Sequence, residues 1–203
     1  MNTENKDDTL TLEILQAIEG DSEVTQRHLA SRLGVALGLA NSYLKRCAKK
    51  GLIKIQTAPA NRYAYYLTPK GFTEKSRLTA EYLSLSFDFY RRASNDCRQA
   101  FAACSGNGWS RVLLCGVSEL AEIATLRAGD YGIELVGNYD PDCKQEQFLQ
   151  LPVLHELGQA PQYDACLLTD LRSCALRHTE LSALMECDRL LIPGLLRASV
   201  GHD

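Results

Sequence analysis

Between Val24 and Thr73 the chain has no aspartate and no glutamate, although the whole sequence of 203 residues carries a formal net charge of -3. That stretch holds Arg27, Arg32, Lys45, Arg46, Lys49, Lys50, Lys54, Arg62 and Lys70. Keeping acids out of one segment of an acidic protein is the electrostatic footprint of a polyanion-binding module, because each cation near a phosphate releases condensed counterions. Other absences narrow the function further. No run of about 18 uncharged apolar residues is available for a membrane span, and MNTENKDDTL lacks the apolar segment of a secretory leader. A cytoplasmic protein with no membrane partner is expected. Eight cysteines occur without one C-x-x-C pair, which excludes zinc-ribbon and ferredoxin spacings and favours reduced, buried thiols. No G-x-S-x-G, H-E-x-x-H or G-x-x-x-x-G-K-[ST] motif is present, and His28, His155, His178 and His202 stand apart. A nucleophile with its base cannot be assembled, so no enzyme is expected.

What is present divides in two. Through Arg77 there are 12 Lys and Arg against 8 acids, and beyond it 10 against 17, a change of sign that suggests two domains with separate tasks. Met1 to Asp8 reads as a frayed polar tail. Leu10, Leu12, Ile14, Leu15 and Ile18 then recur at helical spacing up to Gly20. A second, short helix begins at Thr25, whose hydroxyl can cap the amides that follow, and stops at Gly34. The third runs from about Ala36 to Lys50, with Ala40, Leu44 and Cys47 on one face and Gly38, Asn41, Ser42, Lys45 and Lys49 on the other. After Gly51 the period falls to two, and Leu52 to Ile55 and Tyr63 to Leu67 read as strands around a tip at Ala58 to Asn61. Three helices and a hairpin make a winged helix-turn-helix. Thr25, Gln26 and Arg27 open its positioning helix. Gly38, Asn41, Ser42, Lys45, Arg46 and Lys49 lie on the reading helix, and Asn61 and Arg62 on the wing face the phosphates or the minor groove.

The segments VTQRHLASRLGVALGLANSYLKRCAKKGLIKI and NRYAYYLTPKGFTEKSRLTAEYL resemble MarR-type winged-helix regulators of the subgroup associated with bacterial exopolysaccharide gene clusters. The resemblance covers roughly residues 10 to 90, and LTPKG-x-x-EKxRLT is its most specific part. It implies a homodimeric transcription factor for double-stranded DNA, with Asn41, Tyr43, Leu44 and Lys45 at recognition-helix positions. The chain departs from the family pattern at Ala36, where Ser is common, and at Leu39, where Lys is common.

Glu74 to Ser105 contains neither Pro nor Gly and reads as one long helix. It has two apolar stripes: Leu78, Tyr82, Leu85 and Phe89, and a coiled-coil-like set of Leu83, Ser86, Tyr90, Ala93, Cys97, Ala100 and Cys104. Two stripes need two partners, which points to a dimerisation helix over 74–108 between a DNA-binding domain (1–73) and a third region (109–203). There RVLLCGV, SELAEIATLRAGDYG and IELVGNYD read as strand, helix and parallel strand. FLQLPVLHEL, YDACLLTD, Ser173 to Glu186 and DRLLIPGLL suggest a second such unit, giving a small Rossmann-like α/β sheet of four or five parallel strands.

Ligands in such sheets lie beyond the strand carboxyl ends, which are marked here by Gly116, Ser118 and Glu119, by Asn138 and Asp140, and by Thr169 and Asp170. The helix opening at Ser118 offers a phosphate seat and Asp140 an acid for ribose hydroxyls, although the glycine fingerprint reads G-x-S-x-x-A. RVLLCGVSELAEIATLRAGDYGIELVGNYDP also resembles the N-terminal Rossmann-like domain of bacterial sugar acyltransferases. That likeness implies a nucleotide or nucleotide-sugar as small-molecule effector. A competing possibility is an iron–sulfur or redox sensor built from Cys115, Cys143 and Cys174. A further one is a protein-interaction module on a purely structural sheet.

Overall fold

The computed structural model describes residues 3–58 and 62–201, with side chains from 7 to 57 and from 63 onward. Its contacts divide the chain into two compact units, 1–86 and 87–203. In the first, α1 (Thr3–Gly20), α2 (Gln26–Arg32) and α3 (Leu37–Lys49) precede a hairpin of β1 (Ile53–Ala58) and β2 (Arg62–Leu67). The apolar positions that set the helical period form its core: Ile14, Leu15, Ile18, Leu29, Leu44 and Cys47, closed by Leu52, Ile53 and Tyr65. The hairpin is in register from Ile53 opposite Leu67 to Ala58 opposite Arg62. Asn61, expected at the wing tip, lies outside the described residues, and Arg62 is placed only as the first residue of β2.

The N-terminal segment is not a frayed tail. Helix α1 begins at Thr3, because Asp7 acquires partners on α3 that its own neighbours in sequence do not reveal.

The LTPKG segment opens α4 (Pro69–Gly106) and shows why each residue type is there. Thr68 Oγ1 accepts the Gly71 N–H at 3.0 Å and donates to the Gly51 carbonyl at 2.6 Å. Pro69 fills the first helical position, where a missing N–H costs nothing. Lys70 Nζ donates to the Lys50 carbonyl at 2.9 Å. Gly71 passes so near β1 that a Cβ there would lie 2.0 Å from the Leu52 carbonyl oxygen. Gly71→Ala should therefore cost unit 1 about 2–3 kcal/mol through a forced backbone shift. Urea unfolding followed by far-UV circular dichroism checks this, and the fluorescence of Trp109, the single tryptophan and a residue of unit 2, should keep its midpoint.

The second half of α4 belongs to unit 2. Ala93, Cys97, Phe101 and Cys104 are all 0% exposed and packed in that unit's core, so the expected coiled-coil seam is covered by the chain's own sheet from Ala93 onward. The remaining elements are β3 (Arg111–Cys115), α5 (Glu119–Ala128), β4 (Glu134–Tyr139), β5 (Gln147–Phe148), β6 (Leu151–Leu154), β7 (Ala165–Leu168), α6 (Cys174–Ser182), β8 (Leu190–Leu191) and α7 (Gly194–Val200). The sheet order is β5-β6-β4-β3-β7-β8. Its last five strands are parallel, and β5 pairs antiparallel with β6 at one edge. Strand order reverses between β3 and β7, which is the switch point of a Rossmann-like sheet. The segment DRLLIPGLL is strand only at Leu190–Leu191. Pro193 cannot donate to a ladder and turns the chain into α7 instead.

Candidate DNA-binding surface and C-terminal crevice

Thr25 caps α2 as its hydroxyl chemistry requires, accepting the His28 N–H at 3.1 Å. Gln26 is tied inward, donating to the Tyr65 hydroxyl at 3.0 Å, while Arg27 stays exposed. On α3, Gly38, Ser42, Lys45 and Lys49 are exposed and follow a 4, 3, 4 spacing, so they share one face. Ala40, Tyr43, Leu44 and Cys47 are buried on the other. Asn41 is half-buried beside that face, and its Oδ1 has no hydrogen-bond partner among the described residues. Ala36 occupies the N-cap with no side-chain hydrogen bond. Of the four positions carried over from the family resemblance, Lys45 is exposed and Asn41 half-buried. Tyr43 and Leu44 belong to the core.

Arg46 is held by α1. Its guanidinium donates to Asp7 Oδ2 at 2.7 Å and lies 4.2 Å from the centre of the Tyr43 ring. The Tyr43 hydroxyl donates to the other carboxylate oxygen of Asp7. Hydrogen bonds from Arg46, then from Tyr43, hold the Asp7 carboxyl below the usual carboxylate range. For an acid shifted downward, the tie is complete above the ordinary pKa and is lost as pH falls through the lowered one. Acid therefore loosens α1 from α3. By contrast, Arg27, Arg32, Lys45, Lys49, Lys50 and Lys54 are all exposed, and no ion pair engages them among the described residues. Lys50 lies near enough to the Asp7 and Glu74 carboxyls to help lower them, while the other five have no such acid beside them among the described residues, as phosphate contact demands.

In unit 2 the loop after β3 is built to close on itself. Gly116 adopts φ +117, and a Cβ on it would lie 2.4 Å from the Asp170 backbone, so only glycine lets β3 and the loop after β7 approach so closely. Thr169 Oγ1 donates to the Gly116 carbonyl at 2.6 Å. Ser118 Oγ donates to the Thr169 carbonyl at 2.5 Å and accepts the N–H groups of Leu120 and Ala121. The amides expected to seat a phosphate at Ser118 are thus capped by that residue's own side chain. Asp140 is likewise engaged: one oxygen accepts the Val117 N–H at 2.9 Å, and the other accepts those of Asp142 and Cys143. It ties two loops together. Glu119 is exposed at the start of α5. Asn138 is 0% exposed, with both side-chain amide atoms unpartnered among the described residues.

The residue that organises this end of the sheet is Arg177, on α6, which carries no signal in the sequence. It is 1% exposed. It donates to Glu180 at 2.6 Å and to Asp142 at 3.2 Å, its Nε stands 3.6 Å from Asp170, and it lies 5.3 Å from the Tyr139 ring centre. Burial alone would lower its pKa, but Glu180, Tyr139, Asp170 and Asp140 outweigh that and raise it, so the charge is permanent. Asp170 in turn accepts the Arg172 and Ser173 N–H groups at 2.8 and 2.7 Å. Beside this cluster opens a crevice of about 380 Å³, lined in part by Asp140, Asp142, Lys144, Asp170, Arg172 and Ser173.

The structure does not bring Cys115, Cys143 and Cys174 into one metal-binding group among the described residues. Cys115 is buried in β3, with its thiol directed at the Leu113 carbonyl. Cys143 lies in the loop after β4, and Cys174 opens α6. Among the described residues no three His, Cys, Asp or Glu side chains are grouped to hold a metal ion. Burial also pushes the thiols upward, Cys97 to about 12 and Cys104 to about 11, and raises Cys115 and Cys174 as well. At these positions burial favours the thiol over the reactive thiolate.

Residues 7–54 match the winged helix-turn-helix DNA-binding family, a span that coincides with α1, α2, α3 and the start of the wing. No curated protein matches the chain. Among solved structures, a MarR family transcription regulator is 23% identical at a TM-score of 0.37, over 40% of this chain and 56% of its own. The S. aureus MepR–DNA complex is 20% identical at a TM-score of 0.37, over 45% of this chain and 64% of its own. Human N-acetylserotonin methyltransferase in complex with SAM is 10% identical at a TM-score of 0.38, over 91% of this chain and 76% of its own. The chain thus spans less than two thirds of the first two. Among the described residues no helix is long and apolar enough to cross a membrane.

Proposed function

We propose that the chain is a homodimeric, sequence-specific transcription regulator that binds double-stranded DNA through α3 and the wing and answers to a small effector bound in unit 2. The observation that carries this is the exposed Gly38, Ser42, Lys45 and Lys49 face of α3, set in a stretch without one acid and flanked by Arg27, Arg32 and Lys54, which have no ion-pair partner among the described residues. A random pool of duplexes passed repeatedly over the full chain should enrich one discrete sequence. Recovery of an unenriched pool would contradict the reading.

Dimerisation is supported by the middle of α4. Within unit 1, Tyr82, Leu83 and Leu85 are exposed large apolar side chains, the kind of surface that marks a protein interface. Leu83→Glu with Leu85→Glu should halve the mass seen by sedimentation equilibrium at micromolar concentration. A variant that still sediments as a dimer would move the interface elsewhere.

The effector reading rests on the crevice at the β3/β7 switch point, whose volume lies in the range of small-molecule sites. A nucleotide or nucleotide-sugar would place its phosphates toward Lys144 and Arg172, since the Leu120 and Ala121 amides after the Gly116 loop are already capped by Ser118. Such a ligand regulates only to the extent that it binds the two states of the protein unequally. A regulator rather than an enzyme is favoured because, of the acids lining the crevice, Asp140 and Asp170 are occupied by backbone amides and Asp142 is paired with Arg177.

A further inference from the structure

The head of the reading helix is apolar where a DNA reader is commonly polar. Leu37 and Leu39 are 44% and 43% exposed and contribute little to the core of unit 1. Between them, Gly38 has a backbone outside the left-handed region, and a Cβ there would meet nothing within 4 Å. Glycine weakens a helix relative to alanine, and nothing inside the unit repays that here. Three residues in succession thus have no reason in the fold, and all three stand at the end of α3 that enters the groove in helix-turn-helix recognition.

We infer that Leu37 and Leu39 read thymine 5-methyl groups in the major groove, with Gly38 leaving room for the bases to approach the α3 backbone. The thymine methyl is the one apolar feature on the major-groove edges of the four base pairs. Neither leucine has a donor or acceptor, so neither can select guanine, cytosine or adenine by hydrogen bonding. The occupant is fixed as DNA by charge: Lys45 and Lys49 continue the face of Gly38, which Leu37 and Leu39 flank on either side, toward the other end of α3, and Arg27, Arg32 and Lys54 on neighbouring elements have no ion-pair partner among the described residues. The preferred site therefore contains A·T pairs with thymine methyls under the first turn of α3. This inference rests on the DNA-binding reading above and specifies what that surface recognises.

The test begins with the sequence enriched from the random pool. Each thymine is replaced in turn by deoxyuridine, which keeps every hydrogen-bonding group and removes only the methyl. With the full wild-type chain, Kd should rise about fourfold at one or two thymines per half-site, the worth of one buried methyl. Leu37→Ser with Leu39→Ser, whose folding is checked by its melting curve, should bind the thymine and uracil versions equally. Gly38→Ala should bind at least about tenfold more weakly while melting no lower than the wild type. Wild-type binding indifferent to every uracil, or a double-serine variant that keeps the preference, overturns the inference while leaving DNA binding intact. Failure to bind any duplex overturns both.

Discussion

Replacing Lys45 and Lys49 together with alanine lowers the affinity for duplex DNA by at least about tenfold near 0.1 M salt, and lowers it by a similar factor for an enriched and a scrambled sequence. Both side chains are exposed and unpaired, so the substitutions remove charge without removing packing and the melting temperature stays where it was. Each phosphate contact contributes about 0.9 to the slope of log Kobs against log salt. The double variant should therefore bind with a slope shallower by nearly two units. Fluorescence anisotropy across a salt series measures both quantities at once. Arg46→Ala should behave differently. Its guanidinium is bound to Asp7 and Tyr43, so its loss falls first on the α1–α3 junction and its effect on DNA follows from the displaced helix.

Arg177→Met destabilises unit 2 by about 3 kcal/mol, the cost expected when one partner of a buried ion pair is removed. The methionine fills the volume, but Asp170, 7% exposed, loses its cation while remaining buried. Glu180 and Asp142 lose theirs in a more hydrated setting and contribute less. Urea unfolding followed by Trp109 fluorescence should show the midpoint falling with an unchanged m-value. A midpoint within error of the wild type would mean that the cluster is a by-product of the loops and not what holds them. Because Arg172 and Asp170 line the crevice, any effector affinity should fall in the same variant.

Features that depend on neighbours in sequence were legible in the letters alone. Thr25 announces a cap because a β-hydroxyl before an apolar helix has few other uses, and the structure shows it accepting the His28 amide. The change of period after Gly51 marked the wing, and the run RVLLCGV marked a buried strand because nothing in it needs water. What escaped the reading depends on pairs far apart in the chain. Asp7 and Arg46 are 39 residues apart, and nothing local distinguishes Asp7 from the polar residues around it. Arg177 sits on an amphipathic helix where an arginine ordinarily reads as a solvated face. Only the convergence of the loops after β4 and β7 buries it. Ser118 and Asp140 were placed in the correct loops, yet composition cannot tell whether a hydroxyl or carboxylate awaits a ligand or is already satisfied by the backbone. The stripe on α4 does not name its partner for a related reason: its 3.5-residue spacing is the same whether a second copy or the chain's own sheet covers it, and from Ala93 onward unit 2's own core does.

The central claim is that unit 1 binds DNA by placing uncompensated cations against phosphates. Titration of binding to a duplex of about 25 base pairs between 0.05 and 0.4 M salt tests it most directly. With Arg27, Arg32, Lys45, Lys49 and Lys54 available, log Kobs should fall linearly with log salt, with a slope of about -4 or steeper for the wild-type chain. A slope near zero, or no binding at the lowest salt, would contradict it.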